Sequence, residues 1–156
     1  MVLLKKGFLP LKGKVNLFGR NQFHYYKSGT GSGGLVNTEK VYSFLIEIND
    51  VLANTYQSFI EAHPHNHGNG TWASEPWSQQ EMLISEADII QAKSFSDIGI
   101  IVIGRTAGED KDFTNTRGSF KLSLEELELI KRVRKHLDKV LLILNVGTII
   151  DINEVV

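Results

Sequence analysis

Two uninterrupted apolar runs constrain this chain more than any other feature. Ile98-Gly99-Ile100-Ile101-Val102-Ile103-Gly104 and Val140-Leu141-Leu142-Ile143-Leu144-Asn145 have strand length and no polar alternation, the pattern of strands buried on both faces of a parallel sheet. Between them, Ser123-x-x-Glu126 is a capping box, and Leu127, Leu129, Ile130, Val133 and Leu137 form the apolar face of a helix ending near Asp138. Strand, helix, strand in this order implies a right-handed parallel crossover, with ligands beyond the carboxyl ends of the strands.

The rest of the chain fits that scheme. Lys14 to Gly19 is a first strand, introduced by Pro10 and Gly13 and closed by Gly19. Residues 20–34 form a loop dense in small side chains. After Asn37, a candidate N-cap, Val41, Phe44, Leu45, Ile48 and Leu52 recur at helical spacing, and Tyr56, Phe59 and Ile60 continue it past a break at Asn49-Asp50. Residues 63–80 have no period and read as an irregular connection. Ser85 with Asp88 opens a brief helix through about Ala92. The expected fold is α/β: a mostly parallel sheet flanked by helices, a three-layer α/β/α sandwich incomplete at its C-terminal end.

Composition mainly excludes. With a formal net charge of −1 and 22% charged residues, no large field favours nucleic acid or an anionic membrane. The absence of cysteine removes disulfides, thiol nucleophiles and Cys-ligated zinc. Met1-Val2-Leu3-Leu4 is too short for a signal peptide or a membrane span, so the chain as written is expected to be cytoplasmic.

Three segments stand out chemically. Gly29-x-Gly31-x-x-Gly34 matches the dinucleotide pattern literally, yet lies ten residues beyond Gly19 rather than in a tight strand-to-helix turn, and no acidic residue ends a second strand about 20 residues on. A structural or sugar-contacting loop is the better reading. His63-Pro64-His65-Asn66-His67 spaces imidazoles as a chelator would, but Pro64 and the glycines after it predict a mobile, solvated loop without supporting carboxylates, so no metal and no cofactor are expected. Arg105 to Asp112 crowds three carboxylates and two cations directly after a buried strand. Close like charges with partial burial raise a carboxyl pKa toward the range useful for proton donation. Taken alone, the same loop also reads as a solvated charged turn.

Several segments in order resemble the α/β domain of glycoside hydrolase family 3: Val2-Leu3-Leu4-Lys5, Leu9-Pro10-Leu11, Lys14 to Gly19, the Gly29-Thr30-Gly31-Ser32-Gly33 loop, Ser96-Asp97-Ile98, Ser123-Leu124-x-Glu126-x-Glu128-Leu129-Ile130, and Val140 to Gly147. The resemblance implies a partner (β/α)₈ barrel that binds the terminal sugar and supplies an aspartate nucleophile, while a loop of this domain supplies a glutamic acid. That acid falls on Glu109, in the Gly108-Glu109 step. Asp110, Lys111 and Asp112 would then tune or order the loop, Arg105 and Arg117 would hold it by ion pairs, and Gly29, Thr30, Gly31, Ser32 and Gly33 would shape the rim. The implied activity is retaining hydrolysis of terminal β-linked glucosides or oligosaccharides.

The resemblance also implies what is missing. No segment looks like the nucleophile's, and 156 residues cannot hold a barrel of roughly 250, so the isolated chain is expected to be inactive. The relatives' sheet continues past Gly147, and an open edge here would need covering by a second copy or another chain. A non-catalytic sugar- or protein-binding module and a small nucleotide-binding protein are the alternative readings.

Overall fold

The computed structural model describes residues 8–31, 34, 49–71 and 73–156. Three strands, β1 (Asn16–Phe18), β2 (Ile98–Arg105) and β3 (Lys139–Val146), form one parallel sheet in the order β1-β2-β3. Among the described residues three α-helices accompany it, α1 (Asp50–Ala62), α2 (Glu86–Phe95) and α3 (Leu124–His136), with a 3₁₀ turn at Arg20–Gln22. This is the parallel α/β sandwich expected. The helix anticipated from Asn37 falls largely outside the described residues, and α1 begins at the Asn49-Asp50 break.

β2 is central and takes both faces of the sheet into apolar surroundings. Ile101 and Ile103 join Phe18, Tyr56, Ile89, Leu129, Ile130 and Val133 under the helices, whereas Ile100 and Val102 join Val15 and Leu17 on the opposite face. Each such buried side chain contributes about 1.5–3 kcal/mol relative to leaving it in water. Gly99 lets α3 approach: a Cβ there would meet Leu137 Cδ1 at 2.8 Å and Val133 Cγ1 at 3.3 Å. β3, expected to be buried, is only half-buried from Val140 to Val146. It is the edge strand, paired on one side alone among the described residues.

The helix starts follow their caps. Asn49 accepts from Leu52 N, Ser85 from Asp88 N, and at α3 both halves of the Ser123/Glu126 capping box are made. Asn16 ties β1 to two of these helices, donating Nδ2 to the carbonyls of Ala92 and Ser96 at 2.9 and 2.8 Å and accepting from Asn49 Nδ2 at 3.0 Å. With β1 so fixed, the loop leaving it starts from a defined point at the carboxyl end of the sheet.

Candidate active site

A cleft of about 590 Å³ opens at the carboxyl ends of the strands, lined by Tyr26, Thr30, Ala107, Glu109, Asn145 and Gly147 among others. The glycine loop forms one wall, the Ala107-Gly108-Glu109 step a second, and the end of β3 the third. The two unusual loops of the sequence are thus neighbours. Thr30 N donates to Ala107 O at 2.8 Å, Glu109 N donates to Thr30 O at 3.4 Å, and Thr30 and Gly108 form a parallel bridge. Close approach of the two backbones requires glycine at position 108, because a Cβ there would lie 2.5 Å from the Thr30 carbonyl oxygen. Glu109 itself is exposed at this edge.

Asn145, which the sequence marked only as the end of a strand, holds the third wall. Its Oδ1 accepts from Tyr26 N at 2.7 Å and from Asn21 Nδ2 at 3.0 Å, while its Nδ2 donates to Tyr26 O at 3.1 Å. The start of the glycine loop is thereby pinned to β3. A polar residue closing an otherwise apolar strand was the available signal. Burial, with the Glu75 carboxylate as the next cause, pushes the Tyr26 phenol up to about 12; its hydroxyl is buried away from the open cleft.

The charge crowding expected in the acidic loop does not form. The Arg105 side chain has no exposed surface; its Nη1 and Nη2 donate to the two carboxylate oxygens of Glu126 at 2.6 and 2.7 Å. The remaining N–H groups reach Ser119 O, Gly104 O and Lys121 O at 2.9, 2.8 and 3.2 Å, so every guanidinium donor has an acceptor. Arg105 lines the cleft and, through the ion pair expected of it, anchors the strand exit to α3. Arg117 pairs with Glu154 at 2.9 Å and donates to Leu122 O at 3.2 Å.

Lys111 also turns away. Its Nζ donates to Ala73 O at 3.1 Å and to Glu75 O, and lies 5.1 Å from the Trp77 ring centroid. Desolvation lowers its pKa, with Glu75 opposing. Lys111 orders the loop against segment 73–77 instead of standing beside Glu109. Asp110 and Asp112 are exposed and do not line the cleft, and Asp110 takes a left-handed φ of 54°. Gly29 and Thr30 line the cleft and Gly31 follows them. Ser32 and Gly33 lie outside the described residues.

Glu81, passed over in the sequence, is buried under the first loop. Its carboxylate accepts from Arg20 N at 3.0 Å and Met82 N at 2.8 Å. Burial is the largest influence on it and pushes its pKa up to about 8 despite these amides. The histidine segment is largely solvated, as expected, but two of its rings are half-buried. His63 stacks on Phe59 at 4.4 Å, while the half-buried His65 contacts Glu75 Oε1 at 2.8 Å.

The chain is thus a parallel α/β domain with a carboxylic acid just beyond its central strand, in a cleft walled by the glycine loop. The chain belongs to glycoside hydrolase family 3: the profile of the glycosyl hydrolase family 3 C-terminal domain matches residues 1–156. It is 41% identical to the β-glucosidase of Ruminococcus albus over 97% of its length, and 29% identical to β-glucosidase A of Butyrivibrio fibrisolvens over the same share. The chain spans 17% and 22% of those relatives.

Among solved structures it superposes on a β-glucosidase from Paenibacillus barengoltzii with a TM-score of 0.90 and 42% identity, covering 98% of this chain and 18% of that one. On β-glucosidase 3B of Thermotoga neapolitana, in complex with α-D-glucose, the TM-score is 0.85 at 29% identity, over 99% of this chain and 23% of the other. No helix among the described residues is long and apolar enough to cross a membrane.

Proposed function

We propose that this chain provides the proton-transfer half of a retaining β-glucosidase-type active site. Glu109 is the general acid that protonates the departing sugar oxygen and then, as a base, activates the water that releases the glycosyl group. The aspartate nucleophile comes from a (β/α)₈ barrel on separate polypeptide sequence, placed so that the two carboxyl groups stand about 5–5.5 Å apart. The substrate is a terminal β-linked glucoside.

The observation that carries this reading is the pairing of Thr30 with Ala107 and Glu109, which fixes the main chain of the acid at the rim of an open cleft. The names of the relatives supply the substrate class. Glu109 is exposed here, and the barrel face closing over the cleft would provide the desolvation that brings a carboxyl into the proton-donating range.

The experiment joins this chain to a family barrel, in trans or as a full-length protein, and compares it with Glu109→Gln. Loss of the acid lowers kcat/KM on an unactivated β-glucoside by about 10²–10⁴-fold, with an activated aryl glucoside partly spared because its leaving group needs little protonation. Equal hydrolysis of the unactivated glucoside by both proteins would remove Glu109 from the mechanism.

A further inference from the structure

Away from the cleft rim, His65, His67 and Glu75 bring one potential ligand atom each within 4.8 Å of one another. We propose that these three side chains form a binding site for a borderline divalent transition metal of the zinc type, independent of the role given to Glu109. Two imidazoles and a carboxylate match the donor preference of such an ion, and differ from the all-oxygen sets that suit magnesium and calcium.

Four observations support a built site. The turn carrying the imidazoles is held: Gln79 Oε1 accepts from Asn66 N at 2.8 Å, Gln79 Nε2 donates to Asn66 O at 3.1 Å, and Asn66 Oδ1 accepts from Gly68 N at 2.8 Å. Glu75 is held as well, since its carbonyl accepts from Lys111 Nζ. His65 is half-buried, with Nε2 2.8 Å from Glu75 Oε1 and its other ring nitrogen buried and without a partner among the described residues. Finally, the rings of His65 and His67 stand 4.6 Å apart, with His24 5.7 Å from His65.

Tetrahedral coordination at about 2.0–2.1 Å from each atom separates ligands by roughly 3.3 Å. Seating the ion therefore needs a small opening of the His65–Glu75 contact and a closing of any pair that stands nearer 4.8 Å. His67 is exposed, leaving the fourth position to water. The ion would bind the 65–67 turn to Glu75 and so stiffen the segment on which Lys111 rests, two residues beyond Glu109.

The test uses the whole 156-residue chain, stripped with a chelator and titrated with Zn²⁺ by calorimetry and with Co²⁺ by visible absorption. One equivalent of Zn²⁺ should bind, with Co²⁺ d–d bands of low coordination number. The melting temperature should rise roughly 5–10 °C at about 100 times Kd, and Mg²⁺ should do nothing. His67→Ala and Glu75→Gln should each weaken binding about tenfold or more. His63→Ala should not, because His63 stacks on Phe59 instead. His67 is exposed, so its replacement tests the site without disturbing the fold. Absence of Zn²⁺ binding, affinity unchanged in both ligand variants, or an equal loss in His63→Ala would each overturn the site and leave His65–Glu75 as an ion pair.

Discussion

The carboxyl end of β2 divides into two regions that use charge in opposite ways. Beneath the cleft, Arg105 and Glu126 are buried and meet in a two-pronged ion pair whose donors are all matched. Four residues along the chain from Arg105, Glu109 stands exposed at the rim, positioned through its main chain. The buried pair depends on fixed geometry, because removing either partner leaves an uncompensated charge out of water. Glu109 stands in the solvent-facing cleft, where the proposed proton transfer would need a partner surface to supply desolvation.

The same substitution in the two regions should therefore give opposite results, and this is the largest effect expected. Glu126→Gln leaves the Arg105 guanidinium buried without its counter-charge, which costs about 3–5 kcal/mol and should lower the melting temperature by roughly 10 °C. Glu109→Gln should stay within about 0.5 kcal/mol of the parent, showing its effect in turnover alone. Thermal melts of the two variants side by side would break the comparison if they fell equally.

Glu81 sharpens the contrast, being buried with amide donors but no cation in direct contact among the described residues. Its folded pKa of about 8 lies above its ordinary 4.5, so the folded state holds the extra proton between those values. That contribution to stability is complete below about pH 4.5 and declines as pH rises to about 8. Unfolding free energies measured by denaturant titration from pH 5 to pH 9 should fall by an amount on the order of a few kcal/mol. In Glu81→Gln the slope should flatten.

Two smaller effects probe the rim. Gly108→Ala places a methyl against the Thr30 main chain and should cost about 1–3 kcal/mol. In a protein completed by the barrel it should also reduce turnover, because Glu109 shifts with its neighbour. Smallest is Asp110→Ala: alanine tolerates a φ of 54° less well than aspartate, and the loss should be about 0.5–1 kcal/mol, with Asp110→Gly spared. Urea titrations resolve both.

Much of this architecture was legible before any coordinates. The apolar runs at 98–104 and 140–145 became β2 and β3, and the Ser123/Glu126 box became the start of α3, because strand burial and helix capping are written within a few residues of one another. The position of Glu109 just beyond β2 could be read for the same reason. Neither the fate of Glu126 beyond its cap nor the half-exposure of β3 could be read this way, since each depends on what lies alongside in space.

What the amino-acid order determined by itself was thus the set of elements, their caps and the loop bearing the acid, all products of local backbone and solvation preferences. Tertiary structure alone decided where the polar side chains went. Arg105 finds Glu126 across 21 positions, Lys111 finds Glu75 across 36, and Asn145 finds Tyr26 across 119. A charged or amide group has several acceptable partners in an unfolded chain, and the choice is made only when packing removes water and leaves one of them within reach.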